Sequence, residues 1–223
     1  MSSKLYRYEA KSIDGMLSQL IRYVANGGHY FYIRVRVPQG KDPSAIAEKL
    51  LDKYDIRKSR WQRKRRHLKE TAGIHLLQHQ ELIVIILTKG KHEKFYHDHH
   101  ESVRDIRRNA LKLFGYSIRY TFSEVERRYK VFVRLDDKTR RKVEAHMLTV
   151  AAWHRDRSDM EKEFRMLNFQ PYEPVYDELV SIAKKVNKVR RRRGFEKIDL
   201  SCIPTKRRLG TVFVQNTEEE QAA

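Results

Sequence analysis

Residues 29–37 read HYFYIRVRV. Apolar side chains alternate at Phe31, Ile33, Val35 and Val37, and Tyr30, Tyr32, Arg34 and Arg36 fill the places between them. Successive side chains of a strand point to opposite faces, so this stretch predicts a strand with one face for a core. The other face carries two phenol rings and two guanidinium groups in register. Tyrosine stacks on bases, and arginine pairs with phosphate or stacks, so that face is a candidate nucleic-acid platform. The same alternation also fits an ordinary half-buried strand with a solvated face.

Charge separates the two readings. The 223 residues hold 48 Lys and Arg against 29 Asp and Glu, a net charge of +19. Such an excess repels itself when compact and favours polyanionic partners, of which nucleic acid is the commonest. No segment pairs a large apolar face with a lysine-rich one in the manner of an interfacial membrane anchor. The single cysteine, Cys202, excludes an internal disulfide and cysteine-based zinc motifs. With no apolar signal core near the N-terminus, the chain is expected to be soluble and cytoplasmic, with no membrane partner.

Basic residues cluster in two runs. Between Arg57 and Lys69 stand eight cations and no acid: Arg57, Lys58, Arg60, Arg63, Lys64, Arg65, Arg66 and Lys69, with Trp61 among them. The second run spans Lys184, Lys185, Lys188 and the four arginines Arg190, Arg191, Arg192 and Arg193. Cations suit a helix C-terminus, but four consecutive arginines exceed that need. Both runs are candidate phosphate-binding elements.

Periodicity sets out the remaining elements. Ile13, Met16, Leu17, Leu20, Ile21 and Val24 keep helical spacing after a Ser12 cap, and Asn26-Gly27-Gly28 closes that helix. Asp42-Pro43 starts a second helix. Strands follow at Ile74–Leu77 and Leu82–Thr88, and the latter is apolar on both faces, as for a central strand. Val103, Ile106, Ala110, Leu113 and Phe114 predict a helix ended by Gly115. Two strands then alternate. Tyr116, Ile118, Tyr120 and Phe122 oppose Arg119; Tyr129, Val131, Val133 and Leu135 oppose Lys130, Phe132 and Arg134. Arg119, Lys130 and Arg134 thus join the candidate platform. Asp136-Asp137 starts a long helix to about Leu167, and another helix carries Val175, Leu179, Ile182, Val186 and Val189. A closing strand is expected at Leu209–Val214.

The expected fold is α+β: a mainly antiparallel sheet of about five strands in a split βαβ, ferredoxin-like order, helices on one face, and a C-terminal helical extension. The expected domains are 1–135, 136–215 with the closing strand packed on the helices, and a disordered acidic tail at 216–223. The function class is a nucleic-acid-binding protein for structured RNA or single-stranded nucleic acid. The alternatives are an endonuclease of a mobile element or defence system using His, Tyr or a metal, and a structural subunit of a ribonucleoprotein. The sequence has no P-loop, Rossmann glycine fingerprint, HExxH or GxSxG. Nicking enzymes of this strand order place one apolar residue between two histidines. Here His75 and His79 are separated by three residues, and His97-Asp98-His99 encloses an aspartate. The histidine-rich segment His92–His100 matches no metal-ligand spacing and reads as a surface loop, and no cofactor is expected.

Overall fold

The computed structural model describes residues 6–59, 61–63, 65, 70–206 and 210–214. Helix α1 spans Ile13–Gly27. Ser12 accepts a hydrogen bond from the Gly15 N–H at its start, and Gly28 ends it in the left-handed region at φ 63°. Strand β1 follows at His29–Arg36. Helix α2, Pro43–Lys53, starts as its Asp-Pro pair predicts: the Asp42 carboxylate accepts from the N–H groups of Ser44 and Ala45. Strands β2, Ile74–His79, and β3, Leu82–Thr88, form a hairpin. The histidine-rich segment is helix α3, Glu93–His99, in place of the expected loop. His92 caps it by accepting from Phe95 N–H, and Phe95 is buried beneath it.

These elements build one four-stranded antiparallel sheet with the order β2-β3-β1-β4, where β4 is the two-residue strand Arg104–Asp105. Residues Ile83 to Leu87 are all buried, so β3 is central and covered on both sides. On one face Ile33, Ile74, Leu76, Ile83, Ile85 and Leu87 pack with Ala47 and Leu51 of α2 and Phe95 of α3. On the other, Tyr23 of α1 stacks on His75 of β2. Helices therefore cover both faces, not the one expected, because an apolar run without alternation has no face to give to water.

Strands β5, Leu111–Leu113, β6, Tyr116–Ser123, and β7, Arg128–Leu135, form a separate three-stranded sheet. The chain is thus α+β with two antiparallel sheets, not a single five-stranded one. The expected helix over 103–114 is replaced by β4, a turn and β5. Its apolar residues fit a helical stripe, but Phe114 and Gly115 both take positive φ, 49° and 82°, and Leu113 pairs with Tyr116 across them. That is the two-residue hairpin turn that matches strand twist.

The helices that follow are α4, Asp137–Ala151, α5, Arg157–Met166, and α6, Glu173–Arg192. The long helix expected to reach Leu167 is divided because Asp156 caps a new start by accepting from Ser158 N–H. A 3-10 turn follows at Leu200–Cys202. Two compact units emerge: Met1–Ala110 with Tyr120–Val131 and Leu209–Ala223, and Leu111–Arg119 with Phe132–Arg208. The closing segment pairs with the start of the chain, where Phe213 bridges Ala10 and Val214 N–H donates to Glu9. No described helix is long and apolar enough to cross a membrane.

Candidate nucleic-acid interface

Strand β1 departs from strict alternation at its start. A register shift lies between His29 and Phe31 in the pairing with β3. A bulge of this kind re-aims side chains. His29 becomes buried at 8% exposure, on the same side as Tyr32 and His75. Tyr32 is buried too, at 5%, and its hydroxyl donates to the Asn109 and Ala110 carbonyls at 3.1 Å. The expectation that Tyr32 offers a free stacking face is therefore corrected: the ring is core and the phenol ties β1 to the loop after β4. Burial raises the Tyr32 phenol pKa, and Arg34 and Arg104 lie near enough to oppose that shift. Arg34 and Arg36 are exposed, as the alternation predicts.

Tyr30 is half-buried and belongs to a different assembly. The Arg107 guanidinium sits 4.7 Å from its ring centroid and is held by a bidentate pair with Asp105. Tyr30 stacks on Tyr120 at 5.0 Å, Tyr120 stacks on Tyr129 at 5.7 Å, and Phe122 meets Tyr129 at 5.4 Å and 69°. Exposure rises along this ladder to 39% at Phe122 and 61% at Tyr129. Sequence reasoning placed Tyr120, Phe122 and Tyr129 on a core face, and it missed Arg104, Arg107 and Arg108 inside a presumed helix. The available signal was the RDIRR run after Val103, whose three arginines are all exposed.

The basic run after Arg57 contributes unevenly. Trp61 is 72% exposed and Arg65 is exposed, whereas Arg60, Lys64 and Arg66 lie outside the described residues. Arg63 is docked instead of reaching out: it donates to His75 Nδ1 at 3.2 Å and lies 5.6 Å from the Tyr6 ring centroid. An arginine only donates, so neutral His75 carries its proton on Nε2. His29 Nδ1 donates to the Tyr23 carbonyl at 3.1 Å. Desolvation lowers His29 to about 4 and His75 to about 3, and the nearby Arg63 charge pushes each in the same direction. His75 lies 4.2 Å from the Tyr23 ring and 5.0 Å from His29. Rings this close fill their own gap, so the cluster is packing rather than a cleft for a phosphodiester.

In the other unit Arg119, Arg134, Lys188, Arg191, Arg192 and Arg193 are exposed. Lys185 pairs with Glu144, and, in the first unit, Lys130 pairs with Glu126. Arg190 is corrected: it is fully buried and donates to the carbonyls of His154, Arg155 and Glu196. It braces α6 and cannot meet phosphate. The histidines of α3 are similarly engaged, with His99 Nε2 2.8 Å from the Tyr54 hydroxyl, which donates to Asp98 at 3.0 Å. Among the described residues no three His, Cys, Asp or Glu side chains are grouped to hold a metal ion. Compared with protein-family models, curated proteins and solved structures, the chain matches none.

Proposed function

We propose that the protein binds nucleic acid along β1 and the edge strand β4. The observation that carries this reading is the set of exposed arginines there: Arg34, Arg36, Arg104, Arg107 and Arg108, beside a ladder of aromatic rings, in a chain of net charge +19. Guanidinium groups pair with phosphate, and clustered cations draw in a polyanion by releasing its counterions. Asp105 pairs with Arg107 in that segment. The same reading takes the sheet, with α2 between β1 and β2 and α3 between β3 and β4, as a split βαβ arrangement of ferredoxin-like kind. The antiparallel order β2-β3-β1-β4 supports it.

Fluorescence anisotropy with a labelled oligonucleotide across a salt series tests the proposal. Replacing Arg34, Arg36 and Arg104 together by Ala is expected to lower the salt slope by roughly 0.7–0.9 for each lost phosphate contact. An unaltered slope and affinity in that variant would remove this edge as the binding surface.

A further inference from the structure

From the ladder on the β6–β7 hairpin we infer that the bound nucleic acid is single-stranded, with an unpaired base seated against Tyr129 and Phe122. This rests on the nucleic-acid reading above and names its substrate class. The ladder has a fixed end and an open end. Arg107, held by Asp105, lies over Tyr30, and Tyr30 and Tyr120 are half-buried. Tyr129 and Phe122 retain 61% and 39% of their surface in water and meet at 69°. Large aromatic rings left exposed add nothing to a core, and two in contact make an apolar corner open to solvent.

The corner is preorganised. Tyr129 is braced by Tyr120 on the adjacent strand and by Phe122, so little side-chain freedom remains to be lost when a planar ligand arrives. A nucleobase fits because every base has a π-face and stacks irrespective of sequence. Duplex bases have both faces covered by neighbours, which leaves unpaired bases as the partner that can use these rings. Charge argues for a nucleic acid over an aromatic or proline-rich peptide. Arg104, Arg107 and Arg108 follow β1 in the same unit, and Arg128 flanks Tyr129 in sequence, with a single glutamate, Glu126, pairing both Arg128 and Lys130.

The test compares three fluorescein-labelled probes: a single strand, the same backbone with abasic sugars, and a blunt duplex. The wild-type protein is expected to bind the base-bearing strand roughly 5- to 150-fold more tightly than the abasic one for one stacked base. The double variant Tyr129→Ala/Phe122→Ala is expected to lose that difference while keeping the abasic affinity and the salt slope. A 2-aminopurine in the strand is expected to be quenched by the wild type and not by the variant. Both side chains are surface groups, and circular dichroism of the variant checks that it folds. Equal wild-type affinity for base-bearing and abasic strands would overturn the inference alone and leave phosphate binding standing. No binding to any probe would overturn both readings. A wild-type dimer that dissociates in the double variant, with no base preference, would assign the corner to a second copy of the chain.

Discussion

His29 and His75 show how a residue type with ready functional meanings can be spent on packing. Each is closed in by α1 and the sheet, each keeps one ring nitrogen in a fixed hydrogen bond, and each is held neutral. A free imidazole titrates near 6.5. Between that value and the folded values of about 4 and about 3, the unfolded chain binds protons that the folded chain refuses. Stability is therefore full above pH ~6.5 and falls as the pH drops toward 4, by on the order of 3 kcal/mol for each imidazole. Urea denaturation of the wild type and of His75→Phe over this range checks the claim. The phenylalanine keeps a ring against Tyr23 and cannot titrate, so its profile is expected to be flatter between pH 6.5 and 4. Parallel profiles would show that the pair does not set the acid limb. None of this was legible in the sequence, because the bulge that turns His29 inward leaves no mark in a stretch whose alternation is otherwise perfect. Tyr32 was misplaced for a related reason: tyrosine is amphipathic, and alternation cannot tell a buried phenol with carbonyl partners from an exposed one.

At the scale of elements, legibility followed the strength of local chemistry. Ser12, Asp42 and Asp136 are capping residue types placed just before helical stretches, and each accepts the backbone N–H bonds that a cap must. The central position of Leu82–Thr88 followed from its lack of a polar face. Residues 103–114 failed because five apolar residues at spacings of three and four fit a helix as well as two very short strands with a turn. The deciding residue was Gly115, which reads equally as a helix stop and as the second residue of a hairpin turn. It holds φ 82°, and a Cβ placed there would lie 3.1 Å from Thr139 Oγ1. Gly115→Val adds a β-branched side chain in the left-handed region against that neighbour. The expected cost is roughly 1–3 kcal/mol in urea unfolding. A cost below about 0.5 kcal/mol would mean that the hairpin does not need this turn. The ladder was invisible for a different reason. The alternation of β6 and β7 continues past the point where the strands are buried, so Tyr120, Phe122 and Tyr129 look like core residues, whereas Tyr120 is half-buried and Phe122 and Tyr129 end as surface.

For the whole molecule, the charge of +19 acts on folding and on binding with opposite signs. Like charges on a compact chain repel, and salt relieves that repulsion because exposed charges more than about 10 Å apart are largely screened at 0.1 M. Raising sodium chloride is thus expected to raise the melting temperature. Binding moves the other way, because the counterions released from the nucleic acid are returned at greater cost as salt rises. With phosphate contacts from Arg34, Arg36, Arg104 and Arg108, the single-strand slope is near 2.8, and a change from 50 to 200 mM weakens affinity by about 50-fold. The buried Arg190 contributes nothing to that slope, and Lys130, Lys185 and Arg107 add to it only by exchanging a carboxylate for phosphate. Thermal melts and anisotropy titrations over one salt series separate the two effects. If the melting temperature fell with salt, the ion pairs of the fold would outweigh its net repulsion. If affinity were insensitive to salt, the exposed arginines would not be meeting phosphate, and the positive charge would need another partner.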